Sequence, residues 1–115
     1  MWQTERPLYL QLRDRIAAGI IDREFGAGDA LPSVRTLASE EAVNPLTVSK
    51  AYHELQVAGL VEARRGLGLF VVVGARERLV KDERASFLND DWPRIRAHVR
   101  RLGLSERDLL ETETA

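Results

Sequence analysis

Between Ser33 and Lys50 the chain reads "SVRTLASEEAVNPLTVSK", a stretch whose polar side chains are mostly donors and cations. Arg35, Asn44, Thr47, Ser49 and Lys50 suit one kind of chemistry, the holding of phosphate oxygens and base edges. An asparagine can pair bidentately with adenine, and the apolar Leu46 can lie on a thymine methyl. Asn44 is a good N-cap and Pro45 fits a first helical position, so a helix starts here. The free backbone N–H groups at such a start also favour a phosphate. Arg35 falls in the first turn of a preceding helix capped by Ser33, where the helix dipole disfavours a cation. A positive charge there points to an anionic partner, against the plainer readings of a solvated side chain or a pair with Asp29 or Glu40. Further on, "RRGLG" offers Arg64, Arg65 and Gly66 as a hairpin tip able to meet a sugar–phosphate backbone or a minor groove. Two adjacent arginines alone would equally describe a plain tight turn.

Other chemistries find little support. With no cysteine, disulfides and thiolate chemistry are excluded, and a metal would need histidine and carboxylates. His53 and His98 stand far apart without ligand spacing, so each reads as a surface residue and no metal is expected. "GLGLF" has two glycines but is followed by an apolar strand, whereas a dinucleotide loop needs a helix there. No Ser/His/Asp set or carboxylate pair stands out, so neither an enzyme nor a cofactor is expected. The N-terminus has no signal pattern and no apolar run reaches the length of a membrane span, which leads us to expect a cytoplasmic protein without a membrane partner.

Bulk charge argues against the usual nucleic-acid footprint. Residues 1–75 hold 8 Lys/Arg against 9 Asp/Glu, and the remainder 9 against 9. Any contact with DNA must therefore rest on where the charges sit.

The positioning elements follow from periodicity. Pro7 opens a helix carrying Leu8, Leu12, Ile16, Ile20 and Ile21 on one face, and the glycines of "FGAGD" are expected to end it. A short helix follows Ser33, with Val34, Leu37 and Ala38 inward. After a turn at Glu41–Val43, the next helix runs to about Val57 and stops at Gly59. On a wheel Val48, Ala51, Tyr52, Leu55 and Gly59 share its buried face; Leu46, Lys50, His53 and Val57 lie opposite, with Thr47 and Ser49 on the flanks. Two apolar runs, Leu60–Ala63 and Leu69–Val73, flank the arginine–glycine loop and read as a β-hairpin. Three helices plus a hairpin make an α+β winged helix-turn-helix over residues 1–74, the hairpin being the wing.

Residues 75–115 are charged and helix-favouring. Leu88, Trp92, Ile95, Val99 and Leu102 repeat at 4-3-4-3 spacing, an a/d seam. Pro93 should kink or restart that helix near Trp92, and Ser105 with Asp108 form a capping box for a last short helix. Such a stripe needs cover, from the head or from a second copy.

From "PLYLQLRDRI" through "GAGDALPSVRTLA" to "VNPLTVSKAYHELQVAGLVEARRGLGLFV" the chain resembles the GntR family of bacterial transcription regulators. The short helical tail ending "RLGLSERDLL" looks like the YtrA subfamily, which has no large ligand-binding domain and dimerises through two C-terminal helices. The resemblance implies a homodimeric repressor on an inverted-repeat operator in double-stranded DNA, often beside an ABC-transporter operon. It also implies that Arg35 of "LPSVR", then Asn44, Thr47, Ser49 and Lys50, and Gly66 at the wing tip, contact DNA. Leu46 stands where subfamily members commonly carry Asn, Leu67 and Leu69 where basic residues or Thr are frequent, and Ala27 replaces a usual Pro. A small-molecule effector between subunits stays open. The alternative is a winged-helix protein-interaction module that presents Leu46, Val57, Leu67 and Leu69 to a protein partner.

Overall fold

The structure, a computed structural model, describes residues 5–111. Helix α1 (Leu8–Ile21) begins directly after Pro7 and buries Leu12, Ile16 and Ile20. The glycines of "FGAGD" do not end it. Arg23 does, at φ 67°, while the N–H groups of Glu24 and Phe25 turn back to donate to the Gly19 carbonyl at 2.8 and 3.2 Å. The Phe25 ring then covers Gly19 so closely that a Cβ there would meet Phe25 Cε2 at 2.9 Å.

Helix α2 (Val34–Glu41) is capped by Ser33, whose hydroxyl oxygen accepts the Thr36 N–H. It ends on Ala42 in the left-handed region at φ 55°, a costly conformation for a residue with a Cβ. That turn delivers the chain to α3 (Pro45–Val57), which starts and stops as its caps predict. Val48, Ala51 and Leu55 are fully enclosed and Tyr52 nearly so, the predicted inner face. Helix α3 packs against both α1 and α2, and truncating Leu55 to alanine would cost about 2–5 kcal/mol.

Strands β1 (Val61–Arg64) and β2 (Gly68–Val71) pair antiparallel, with Val61 opposite Val71 and Arg64 opposite Gly68. Strand β1 therefore lies one residue after the first apolar run, β2 starts one residue before the second and ends two residues short of it, and the loop is only Arg65, Gly66 and Leu67. Residues 28–31 add an edge that periodicity does not reveal. Gly28 N–H donates to Val71 O, Val71 N–H to Asp29 O and Leu31 N–H to Leu69 O, at 2.8–2.9 Å. These bonds fasten the wing to the loop that leads into α2. Leu69, expected on an exposed sticky surface, is instead half-buried against the core.

The chain divides into two compact units, residues 1–80 and 81–115. The first runs past Gly74, where the sequence suggested a junction, because the start of helix α4 (Ala75–Ser86) is built into it. Ala75 is buried, Arg76 Nε donates to the Ile21 carbonyl, and Arg78 donates to the carbonyls of Ala58 and Gly59. Two guanidinium groups thus satisfy the open carbonyl ends of α1 and α3, where the helix dipole welcomes a cation.

In the second unit α4 gives way to a π-helical turn over Phe87–Asp91, and α5 (Trp92–Arg101) restarts with Pro93 in its first turn. Proline lacks the N–H for an α-helical bond back to residue 89 and its ring crowds that carbonyl, so the wider turn relieves it. The extra residue breaks the even seam: Phe87, five residues before Trp92, stacks on its ring at 6.4 Å. Helix α6 (Glu106–Glu111) carries the expected capping box, with Ser105 N–H donating to Asp108 at 2.8 Å and Asp108 N–H to Ser105 Oγ at 3.2 Å. The Ser105 N–H, and the Ser105 hydroxyl donating to the same carboxylate at 3.0 Å, hold the Asp108 carboxyl below its ordinary pKa.

Candidate nucleic-acid interface

One short bond ties the body of α3 to the segment that leads into α2. Tyr52, on the inner face of α3, donates its hydroxyl to the Pro32 carbonyl at 2.6 Å. Burial, helped by the negative charge of Glu40, raises the Tyr52 pKa to about 12, so this donor keeps its proton. Pro32 precedes Ser33, whose hydroxyl also donates to Thr36 Oγ1 at 2.9 Å. Arg35 stands exposed one residue into α2, and among the described residues neither Asp29 nor Glu40 pairs with it.

On α3, Asn44 Oδ1 accepts the Leu46 N–H at 2.8 Å. The amide oxygen is engaged at the cap, which leaves the Asn44 NH2 as a donor. A bidentate adenine contact would share this oxygen, through its second lone pair, with the Leu46 N–H. Leu46 is 63% exposed and Val57 72%, with Ser49, Lys50 and His53 exposed between them, as the wheel predicted. Thr47 is half-buried on the flank and Pro45 fills the first turn.

Sequence reasoning passed over Tyr9. The Lys50 ammonium lies 5.9 Å from the centre of its ring, a cation–π distance. Tyr9, Ser49, Lys50, His53 and Glu54 line an open groove of about 320 Å³. Glu54 faces Arg13 at 3.6 Å, so its charge is partly offset there. An aromatic residue in the first turn of α1 was the available signal, but only the α1–α3 packing shows which cation it meets.

On the wing, Arg64 is a strand residue rather than a loop residue. Its guanidinium stacks over Phe70 at 4.3 Å and reaches Glu62 at 3.6 Å. Arg65 stands exposed at the tip beside Gly66, whose φ of 76° favours glycine. Leu67 closes the loop, its N–H donating to the Arg64 carbonyl at 2.8 Å.

The model of the bacterial regulatory proteins of the gntR family matches residues 8–71, from the first turn of α1 to the end of the wing. The chain belongs to the GntR family. Its relatives include the Bacillus subtilis HTH-type transcriptional regulator YhcF, 33% identical over 96% of this chain and 89% of that protein. The B. subtilis HTH-type transcriptional repressor YtrA is 38% identical over 69% of this chain and 61% of the relative, which supports the YtrA subfamily. Among solved structures, a GntR family transcriptional regulator from Listeria monocytogenes superposes with a TM-score of 0.73 at 28% identity, covering 95% and 94% of the two chains. The AraR DNA-binding domain in complex with operator ORX1 superposes at 0.58 and 25% identity, over 63% of this chain and 93% of that one. This GntR-family member is thus a winged-helix DNA-binding transcriptional regulator and not an enzyme. Among the described residues, no helix is long and apolar enough to cross a membrane.

Proposed function

We propose that this GntR-family regulator is a homodimeric repressor of an inverted-repeat operator. Reading of the major groove falls to Leu46, Thr47, Ser49 and Lys50 of α3, with the Asn44 amide and Pro45 at its start. Ser33 and Arg35 of α2 and Arg65 and Gly66 of the wing hold the backbone, while Arg64 stiffens the wing. One observation carries this reading: the Tyr52–Pro32 bond ties the body of α3 to the segment leading into α2, and the first two turns of these helices present Arg35 and Lys50 without an acidic partner among the described residues. In a helix-turn-helix this arrangement sends the N-terminal residues of the second helix to base edges.

The dimer is supported by the second unit. Leu88, Trp92, Ile95 and Leu102 are exposed in the single chain, joined by Phe87, Leu104, Leu109 and Leu110, and Val99 is only half-covered. Stripes of that size call for a partner surface, and a second copy provides one with the two-fold symmetry that a palindromic operator demands. Footprinting of the purified protein on the DNA upstream of its own gene tests the proposal. A protected inverted repeat with half-sites about one helical turn apart, roughly 34–36 Å, is the expected result. Any neighbouring ABC-transporter promoter is the first other target to try. Absence of competitor-resistant binding at low salt would return the interaction-module alternative to first place.

A further inference from the structure

Among the described residues, Leu46 is the one large apolar side chain at the reading end of α3 left mostly uncovered. It is 63% exposed, and its place is not loosely held. Its backbone N–H is tied to Asn44 Oδ1 at 2.8 Å, and Pro45 before it fixes the entry of the helix. Val57 is more exposed, but it lies at the far end of α3, three turns from the residues that enter a groove. Around Leu46 the helix offers polar groups on either side: the Asn44 NH2, the Thr47 hydroxyl and, one turn on, Lys50.

A base pair offers an apolar group in the major groove in one form only, the C5-methyl of thymine. A leucine at this position has no hydrogen bond to make there. Against a cytosine amino group or a guanine O6 it would remove water from a polar edge without replacing the lost bond, at a cost. We infer that Leu46 is a specificity-determining residue that selects one thymine per operator half-site by packing on its C5-methyl. This rests on the operator reading above and gives it a chemical content: discrimination at that base comes from a methyl group.

The test removes that methyl and nothing else. Binding sites are first selected from random duplex DNA with the full-length protein. Each thymine of the selected half-site is then replaced in turn by deoxyuridine, and affinities are measured for the wild type and Leu46→Ala at one salt concentration. Leu46 is exposed and alanine favours a helix, so the variant should fold; its circular dichroism and melting curve verify this. The expected result is a single thymine whose replacement weakens wild-type binding about fourfold per half-site, the value of one buried methyl. In Leu46→Ala that sensitivity disappears, while sensitivity to base changes elsewhere remains. If no thymine shows a Leu46-dependent loss, the inference is overturned and the operator reading stands. If selection yields no bound DNA at all, the operator reading itself fails and this inference with it.

Discussion

Replacing Tyr52 by phenylalanine removes one oxygen and leaves the ring that packs between α2 and α3. The lost group donates a 2.6 Å bond to the Pro32 carbonyl. With the ring in place no cavity opens, so the cost is that of the bond and of a half-buried carbonyl left without its donor. Together these amount to about 1–2 kcal/mol, and for a head of this size a melting temperature lower by roughly 5–10 °C. Urea unfolding should show a lower midpoint at unchanged slope, since the surface exposed on unfolding hardly changes. The hydroxyl also leaves a mark in alkali. Its folded pKa is raised from 10.0 to about 12 by burial and then by Glu40. Its contribution is therefore complete below pH 10 and is lost as pH rises through about 12. The phenylalanine variant lacks that loss, so the stability gap between the two proteins should close over this interval. An unfolding free energy unchanged within about 0.5 kcal/mol, the range of ordinary surface changes, together with identical alkaline slopes, would refute the role assigned to this bond.

Arg35→Ala should weaken binding about equally across DNA sequences and lower the magnitude of the salt slope by about 1 per subunit; gel-shift titration over a salt series measures it, and unchanged affinity removes Arg35 from the interface. Gly66→Ala, at φ 76° with open space around the site, should strain the wing tip by about 1–2 kcal/mol and lower affinity for operator DNA; equal melting and equal binding would show that the tip adapts freely. Ile95→Asp places a charge in the exposed stripe of α5 and should give a monomer by light scattering with weaker operator binding. A variant that stays dimeric moves the interface elsewhere.

The features that were legible in the sequence are those written into neighbouring residues. Ser33, Asn44 with Pro45, and Ser105 with Asp108 cap helices where their chemistry predicts, and the inner face of α3 follows from its period. Pro93 announced a break near Trp92, yet not that the break would be a π turn pairing Phe87 with Trp92. Long-range partners were not legible. The edge at Gly28–Leu31, the Tyr52–Pro32 bond and the Tyr9–Lys50 contact join residues far apart in sequence. For the candidate site this matters most at Lys50, whose aromatic neighbour Tyr9 lies on another helix.

The same distinction between local count and tertiary partner resolves the acidic head. A net charge slightly below zero looks unsuited to DNA, but several of the acids are held in ion pairs with arginines. Asp14 binds both Arg6 and Arg13 at 2.7 Å, Glu41 binds Arg15 at 2.7 Å, and Glu54 faces Arg13. Burial alone would raise the Asp14 pKa, yet its two arginines outweigh that and hold it below its ordinary value. Among the described residues, Arg35, Lys50 and Arg65 have no such acidic partner. If Arg35 and Arg65, which are assigned to the backbone, each neutralise one phosphate, a dimer engages about four, and log Kobs should fall with log salt at a slope of about −4. Arg65→Gln then lowers the magnitude of that slope by about 2, because both protomers lose a contact. Arg13→Gln, which removes an equal charge from an internal pair, should leave the slope nearly unchanged. If the two variants change the slope equally, the head acts through its total charge, and the placement of its cations does not explain how it holds DNA.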